Sequence, residues 1–276
     1  MAIPVAALFN PKAKKWINGR KGWYQRLSAS IPADADIVWM HCASLGEFEQ
    51  GRPILEQIRR HYPQYQILVT FFSPSGYEAR KNYKGADWVE YLPLDGPSNA
   101  RRFIETVHPR LVIFVKYEFW YYYLKKLYYR EIPLLLVSAR FHSGMQFFKW
   151  YGKVMRKALS RFYHLFLQDE ASLLLLKGIG IDKQCTVAGD SRFDRVVEIA
   201  AAGKQFPTIE KWINNRRLFV AGSTWPPDET VLSKCTGYLE QNNIALLLVP
   251  HETGEASLAE VEKKFPGAVR YTALSG

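Results

Sequence analysis

The chain has 276 residues, 48% of them apolar and 23% charged, with a formal net charge of +11. That length suits two α/β domains, and the apolar share excludes global disorder. No run reaches the roughly 18 apolar residues a membrane span needs, and the three scattered cysteines, Cys42, Cys185 and Cys235, fit reduced thiols and no metal-binding spacing.

The opening MAIPVAALFN is short and apolar and runs into PKAKKWINGRKGW, where Lys12, Lys14, Lys15, Arg20 and Lys21 accompany Trp16 and Trp23. It is too short for a signal peptide. Basic residues that meet anionic headgroups, with Trp at the interface, read as a segment touching a membrane surface. ADIVWMHCAS then predicts a buried strand ending in small residues. Phe48, Ile54, Leu55 and Ile58 share one face of a helix from Gly46 to Arg60. YQILVTFFS, ADWVEYLPLD, RLVIFVKYEFW and IPLLLVSAR predict four further strands, separated by helices through Tyr83, after Pro97 and from about Tyr121 to Arg130. A basic helix from Phe147 to Ser160 follows, then strand YHLFLQDE, a helix stopped by Gly178, and QCTVAGDSRFD as a strand and turn. This β-α repetition reads as a parallel sheet with helices on both faces.

The stretch AAAGKQFPTIEKWINNRR is weakly patterned and predicts a domain boundary there or just before it. A second unit begins at RLFVAGSTWPPDE, continues through strand NIALLLVPHE and stops at YTALSG. Two strands and two helices cannot cover both faces of a sheet, so this domain is expected to be partial.

In open α/β sheets, ligands lie beyond the carboxyl ends of the strands. The first strand delivers Ser44 and Glu47, which on pattern alone read as a helix capping box. The second delivers the polar turn Ser73-Pro74-Ser75-Gly76. The fourth delivers Glu118 beside Phe119 and Trp120, where a carboxylate is costly unless paired or functional. Arg140, after the fifth, suits a carboxylate or phosphate. Gly222-Ser223-Thr224 reads equally as a phosphate cradle or as an ordinary strand-to-helix loop. His251, after Pro250, stands where a ligand contact is possible, although a lone His is more often structural.

The ordered set HCASLGE, FFSPSGYE, YLPLD, EFW, SAR, LQDE, AGDSRFD, GSTWPPDE and LLLVPHE, from about Trp39 to Glu252, resembles that of the Kdo transferases. These enzymes attach 3-deoxy-D-manno-octulosonic acid (Kdo) to the lipid A precursor. The resemblance implies an α/β chain of GT-B fold with two Rossmann-like domains. Residues 1–200 would bind the acceptor, and residues 201–276 would hold the CMP of CMP-Kdo. It also implies an inverting transfer needing no metal or other cofactor, at the cytoplasmic face of the bacterial inner membrane. Glu47 matches the family's general base. Glu118 and Arg192 match positions that stabilise the transition state, Arg192 standing where the family usually has Lys. Gly222, Ser223, Thr224, Pro250 and His251 match positions lining the nucleotide site. There are departures: Lys116 replaces the first acid of a Glu-Thr-Glu-Leu-Trp stretch, and Pro-Arg-His-Pro-Glu reads Pro250-His251-Glu252-Thr253-Gly254. The family's later Gly-rich and Asn-x-x-Glu motifs are absent from this chain.

Two rival readings differ in class. The charge and aromatic content fit a nucleic-acid-binding protein, but YYYLKKLYYR is the only dense basic-aromatic cluster and no binding signature accompanies it. Lys125, Lys126 and Arg130 in that cluster instead extend the membrane-facing patch, and no nucleic acid is expected as partner. A sugar-nucleotide epimerase of similar architecture would lack the Ser-Leu-Gly-Glu turn.

Overall fold

The computed structural model describes residues 10–201, 203 and 205–274. Most of the apolar opening therefore lies outside the described residues. The chain divides into two compact units after Ala201.

The first unit opens with helices α1 (Pro11–Arg20) and α2 (Trp23–Ser30). Strands and helices then alternate: β1 (Ile37–Cys42), α3 (Leu45–His61), β2 (Gln66–Phe71), α4 (Pro74–Arg80), β3 (Trp88–Tyr91), α5 (Pro97–Val107) and β4 (Leu111–Val115). The series continues with α6 (Tyr121–Tyr129), β5 (Leu134–Ala139), α7 (Lys153–Leu159), β6 (His164–Leu167), α8 (Glu170–Lys177), β7 (Cys185–Val187) and α9 (Ser191–Ala201). The seven strands form one sheet in the order β3-β2-β1-β4-β5-β6-β7, every pair parallel.

Side chains alternate across this sheet, and both faces are covered, which is why the strands are almost uniformly apolar. Ile37 and Trp39 of β1 enter one core with Phe103, Phe114 and Tyr123. Val38, Met40 and Cys42 enter the other with Phe48, Leu55 and Phe71. Helix α3 lies so close to the sheet that a Cβ on Gly51 would stand 2.6 Å from Met40 Sδ and 3.0 Å from Val115 Cγ2. The strand order reverses between β1 and β4, so the loops leaving these two strands diverge and open a crevice at their carboxyl ends.

Several expectations change. The basic opening forms helix α1, N-capped by Asn10, whose Oδ1 accepts the N–H of Lys12 and Ala13. Lys12, Lys14, Lys15 and Lys21 are exposed, but Arg20 is buried. The tryptophans also turn inward: Trp16 meets the Phe72 ring at 5.5 Å and Trp23 meets Phe103 at 5.9 Å. The helix expected from Phe147 to Ser160 is broken into a short 3₁₀ turn, Gln146–Phe148, and α7. Arg156 Nη1 donates to the carbonyl of Phe147 and to that of Lys149, which also accepts the Gly152 N–H, and so braces the break. The stretch after β7, read as a turn, is helix α9; its Phe193, Val196, Val197 and Ile199 are exposed.

The second unit contains α10 (Pro207–Ile213), β8 (Arg217–Thr224), α11 (Pro226–Ser233), α12 (Thr236–Gln241), β9 (Ile244–Pro250) and α13 (Glu255–Lys264). Strands β8 and β9 form a two-stranded parallel sheet. Three helices follow the start of β8, one more than the pattern predicts. Lys264 Nζ holds the buried Glu229 carboxylate at 2.9 Å and so ties α13 to α11.

Candidate active site

Both carboxylates singled out from the sequence lie beside the crevice of the first unit. Glu47 sits in the first turn of α3, immediately after β1. The capping box expected there does not form: the Ser44 side chain makes no bond to the helix backbone. Its hydroxyl instead donates to Glu47 Oε2. Glu118 leaves β4, and its Oε2 accepts the Trp120 Nε1 N–H at 2.5 Å and lies 3.0 Å from His41 Nε2. Cys42, at the end of β1, has its thiol pushed well up, first by burial and then by the charges of Glu47 and Glu118. The two acids thus follow β1 and β4, the pair of strands between which the sheet order reverses.

The sequence reading missed His41, although it forms part of the motif HCASLGE. A strand position on the same face as Ile37 and Trp39 reads as core, and His41 is indeed fully buried. Its Nδ1 lies 2.9 Å from Thr70 Oγ1 and 3.1 Å from Thr70 O, and Trp39 Nε1 donates to the same hydroxyl at 2.7 Å. Backbone strain marks the same rim. Lys116 after β4 and Ser138 in β5 have φ of 64° and 56°. Such left-handed conformations cost a non-glycine residue about 1–2 kcal/mol each and gather at functional sites.

Arg192 is the second residue of helix α9, and its side chain is directed at Asp190. Its Nε donates to Asp190 Oδ2 at 2.8 Å and its Nη2 at 2.5 Å, while the side chain remains 64% exposed. Gln50 of α3 donates to the other oxygen of Asp190 at 3.3 Å, which links the base of α9 to the helix carrying Glu47. Among the described residues no hydrogen bond or ion pair joins Glu47, Glu118 and Arg192 to one another. Arg140 pairs with Asp169 at 2.9 Å on the wall of a cavity of about 410 Å³ that Tyr117, His142 and Leu175 also line.

In the second unit, Gly222, Ser223 and Thr224 belong to β8 itself rather than to a turn. The register with β9 breaks there, and Ser223 has a φ of 58°. Ser223 Oγ lies 2.9 Å from His251 Nδ1, and His251, following Pro250, stacks on Trp225 at 4.4 Å. Thr224 is buried and its Oγ1 lacks a hydrogen-bond partner among the described residues. A cradle of backbone N–H groups at the start of α11 is not available. Pro226 and Pro227 have no N–H, and the Trp225 N–H donates to Asp228 Oδ2 at 2.9 Å. What gathers is instead a side-chain cluster of Ser223, Thr224, Trp225 and His251, of which Trp225 was not foreseen.

Residues 17–195 match the family model of the 3-deoxy-D-manno-octulosonic-acid transferases (kdotransferases). The chain is 27% identical over 255 residues to the 3-deoxy-D-manno-octulosonic acid transferase of Haemophilus influenzae, covering 90% of this chain and 58% of that protein. The Aquifex aeolicus enzyme of the same name is 28% identical over 227 residues, covering 81% of this chain and 57% of that one. The chain thus spans a little over half the length of these relatives. Among solved structures, UDP-GlcNAc 2-epimerase from Neisseria meningitidis superposes with a TM-score of 0.59 at 13% identity, over 84% of this chain and 70% of that one. A putative UDP-N-acetylglucosamine 2-epimerase from Listeria monocytogenes gives the same TM-score at 12% identity, over 85% and 67%. Likeness at that level shows the fold alone, α/β of the GT-B class. With the family model covering more than half of its residues, the chain belongs to the 3-deoxy-D-manno-octulosonic acid transferase family.

Proposed function

We propose that this chain carries the acceptor site and part of the donor site of an inverting glycosyltransferase that moves Kdo from CMP-Kdo to the lipid A precursor. The observation that supports this most directly is that Glu47 follows β1 and Glu118 follows β4, the two strands between which the sheet order reverses, with Glu118 Oε2 held by the Trp120 N–H. Glu47 acts as general base: it takes the proton of an acceptor hydroxyl as that oxygen bonds to the Kdo anomeric carbon and the bond to CMP breaks. The Ser44 hydroxyl orients the Glu47 carboxylate through Oε2, leaving Oε1 for the acceptor. Glu118 stabilises the positive charge that grows on the sugar, and Arg192 the negative charge that grows on CMP. Gly222, Ser223, Thr224, Pro250 and His251 contact the nucleotide, with the stacked Trp225–His251 pair as a flat surface beside them. The acceptor is a phosphorylated lipid, so the enzyme works at an anionic membrane, the cytoplasmic face of the inner membrane. Exposed Lys12, Lys14, Lys15 and Lys21 support that docking, as does Trp150, which is 91% exposed next to Tyr151.

The test is Kdo transfer from CMP-Kdo to a lipid A precursor by the complete enzyme carrying Glu47→Gln. The amide keeps the shape but cannot take the proton, and the expected loss is about two to four decades in rate. Activity within about threefold of the parent rules out base catalysis by Glu47.

A further inference from the structure

We infer that His41 is a positioning residue: its ring accepts at Nδ1 and donates from Nε2, and so locks one oxygen of Glu118 and leaves the other to the substrate. The tautomer follows from who must donate to whom. An indole N–H only donates, so Thr70 Oγ1 accepts from Trp39 at 2.7 Å. The Thr70 hydroxyl hydrogen then finds its acceptor in His41 Nδ1 at 2.9 Å. With Nδ1 accepting, the ring proton sits on Nε2 and is donated to Glu118 Oε2 at 3.0 Å.

The opposite tautomer satisfies less. Its Nδ1–H would donate to Thr70 O at 3.1 Å, and its bare Nε2 would take the Trp120 N–H from 3.2 Å. That arrangement sets the Nε2 lone pair against the Glu118 carboxylate at 3.0 Å and strands the Thr70 hydroxyl hydrogen. Unpaired buried polar groups are costly, so the directed series Trp39, Thr70, His41, Glu118 prevails.

The consequence for Glu118 is asymmetric. Oε2 receives two N–H donors, from His41 and Trp120. Oε1 has no hydrogen-bond partner among the described residues, yet it is not among the side-chain atoms sealed from solvent. One oxygen therefore anchors the carboxylate and the other remains open to solvent.

The inference rests on the proposed role of Glu118, and its test separates the two. In the full chain labelled with ¹⁵N-histidine, the His41 signal is identified by its loss in His41→Gln. It is expected to show a protonated Nε2 and a bare Nδ1. Thr70→Val removes the hydroxyl donor and should convert the ring to Nδ1–H, donated to the backbone carbonyl of residue 70; Thr70→Ser should restore Nε2–H. An Nδ1–H ring in the parent, or a tautomer indifferent to Thr70→Val, overturns the inference without any assay of turnover. In the complete enzyme, His41→Phe is expected to lower kcat about 10- to 100-fold with KM little changed, the usual scale for groups that orient a reactive side chain. His41→Gln, whose amide N–H still reaches toward Glu118, should recover most of that loss. Equal losses in both variants overturn the positioning role. If the tautomer is as described but Glu118→Gln transfers Kdo normally, the role given to Glu118 fails and the tautomer stands.

Discussion

Arg20→Met tests how the N-terminal helix is held. The guanidinium donates from Nε to Leu92 O at 2.9 Å, from Nη1 to Trp16 O at 2.9 Å and from Nη2 to Phe72 O at 2.7 Å. It lies over the rings of Trp16, Phe72 and Tyr91 at 4.2, 5.0 and 5.0 Å. Burial pushes its pKa down to about 10, still far above neutral, so the group is a buried cation without a carboxylate partner among the described residues. Hydrogen bonds from a charged donor contribute about 1.5–3 kcal/mol each, or about 4.5–9 kcal/mol for three before coupling between them. Relief of the desolvated charge, a fall from 12.5 to about 10, returns about 3 kcal/mol at ~1.36 kcal/mol per pKa unit. The net expectation for Arg20→Met is a loss of about 3 kcal/mol, felt where α1 meets the ends of β2 and β3. Hydrogen exchange of the α1 amides should accelerate about 150-fold, since each 1.4 kcal/mol is about tenfold. Lys21→Ala, an exposed neighbour, should change stability by less than about 0.5 kcal/mol. If α1 in Arg20→Met exchanges within about threefold of the parent, the clamp is not what holds this helix.

Gly51→Val should destabilise the first unit by about 1–3 kcal/mol, because α3 must move off Met40 and Val115. The penalty should shrink in a Met40→Ala background, and strict additivity in urea unfolding argues against this contact. Thiol labelling near neutral pH should find the exposed Cys235 first. Cys185, pushed up to about 11 mainly by burial and then by Asp182, should react faster as pH climbs toward that value and its thiolate forms. Cys42 should stay unlabelled until the chain unfolds, and rapid native labelling there would contradict its burial. The chain should sediment with anionic vesicles, be released by salt, and bind more weakly when Lys12, Lys14 and Lys15 are changed to Glu, at about 1 kcal/mol per basic residue. Indifference to lipid charge, or displacement by double-stranded DNA at physiological salt, removes the membrane assignment.

The β-α alternation was legible because a parallel sheet covered on both faces leaves a strong local signal: short apolar runs separated by amphipathic helices. Helix α9 was missed although Phe193, Val196 and Val197 carry helical spacing, because the preceding strand is only three residues long and the Gly-Asp-Ser turn dominates the pattern. The break within residues 147–160 has a weaker local signal. It depends on Arg156 folding back to hold two carbonyls, a choice that propensity does not encode.

For the site, the sequence by itself determined which residues reach the rim. A side chain just past a parallel strand must emerge at the carboxyl edge of the sheet, which places Glu47 and Glu118 there. Only the tertiary structure decided their company. Strands β1 and β4 are adjacent in the sheet although β2, β3 and three helices lie between them in the chain. Their pairing is what brings His41 to Glu118. The same holds for Arg20, whose charge reads as surface in a one-dimensional pattern. Trp16 of its own helix, with the carbonyls and rings supplied from the ends of β2 and β3, makes its burial tolerable. Periodicity reports which face a residue takes, whereas the partner that satisfies a buried polar group comes from chain distant in sequence, and only folding brings it near.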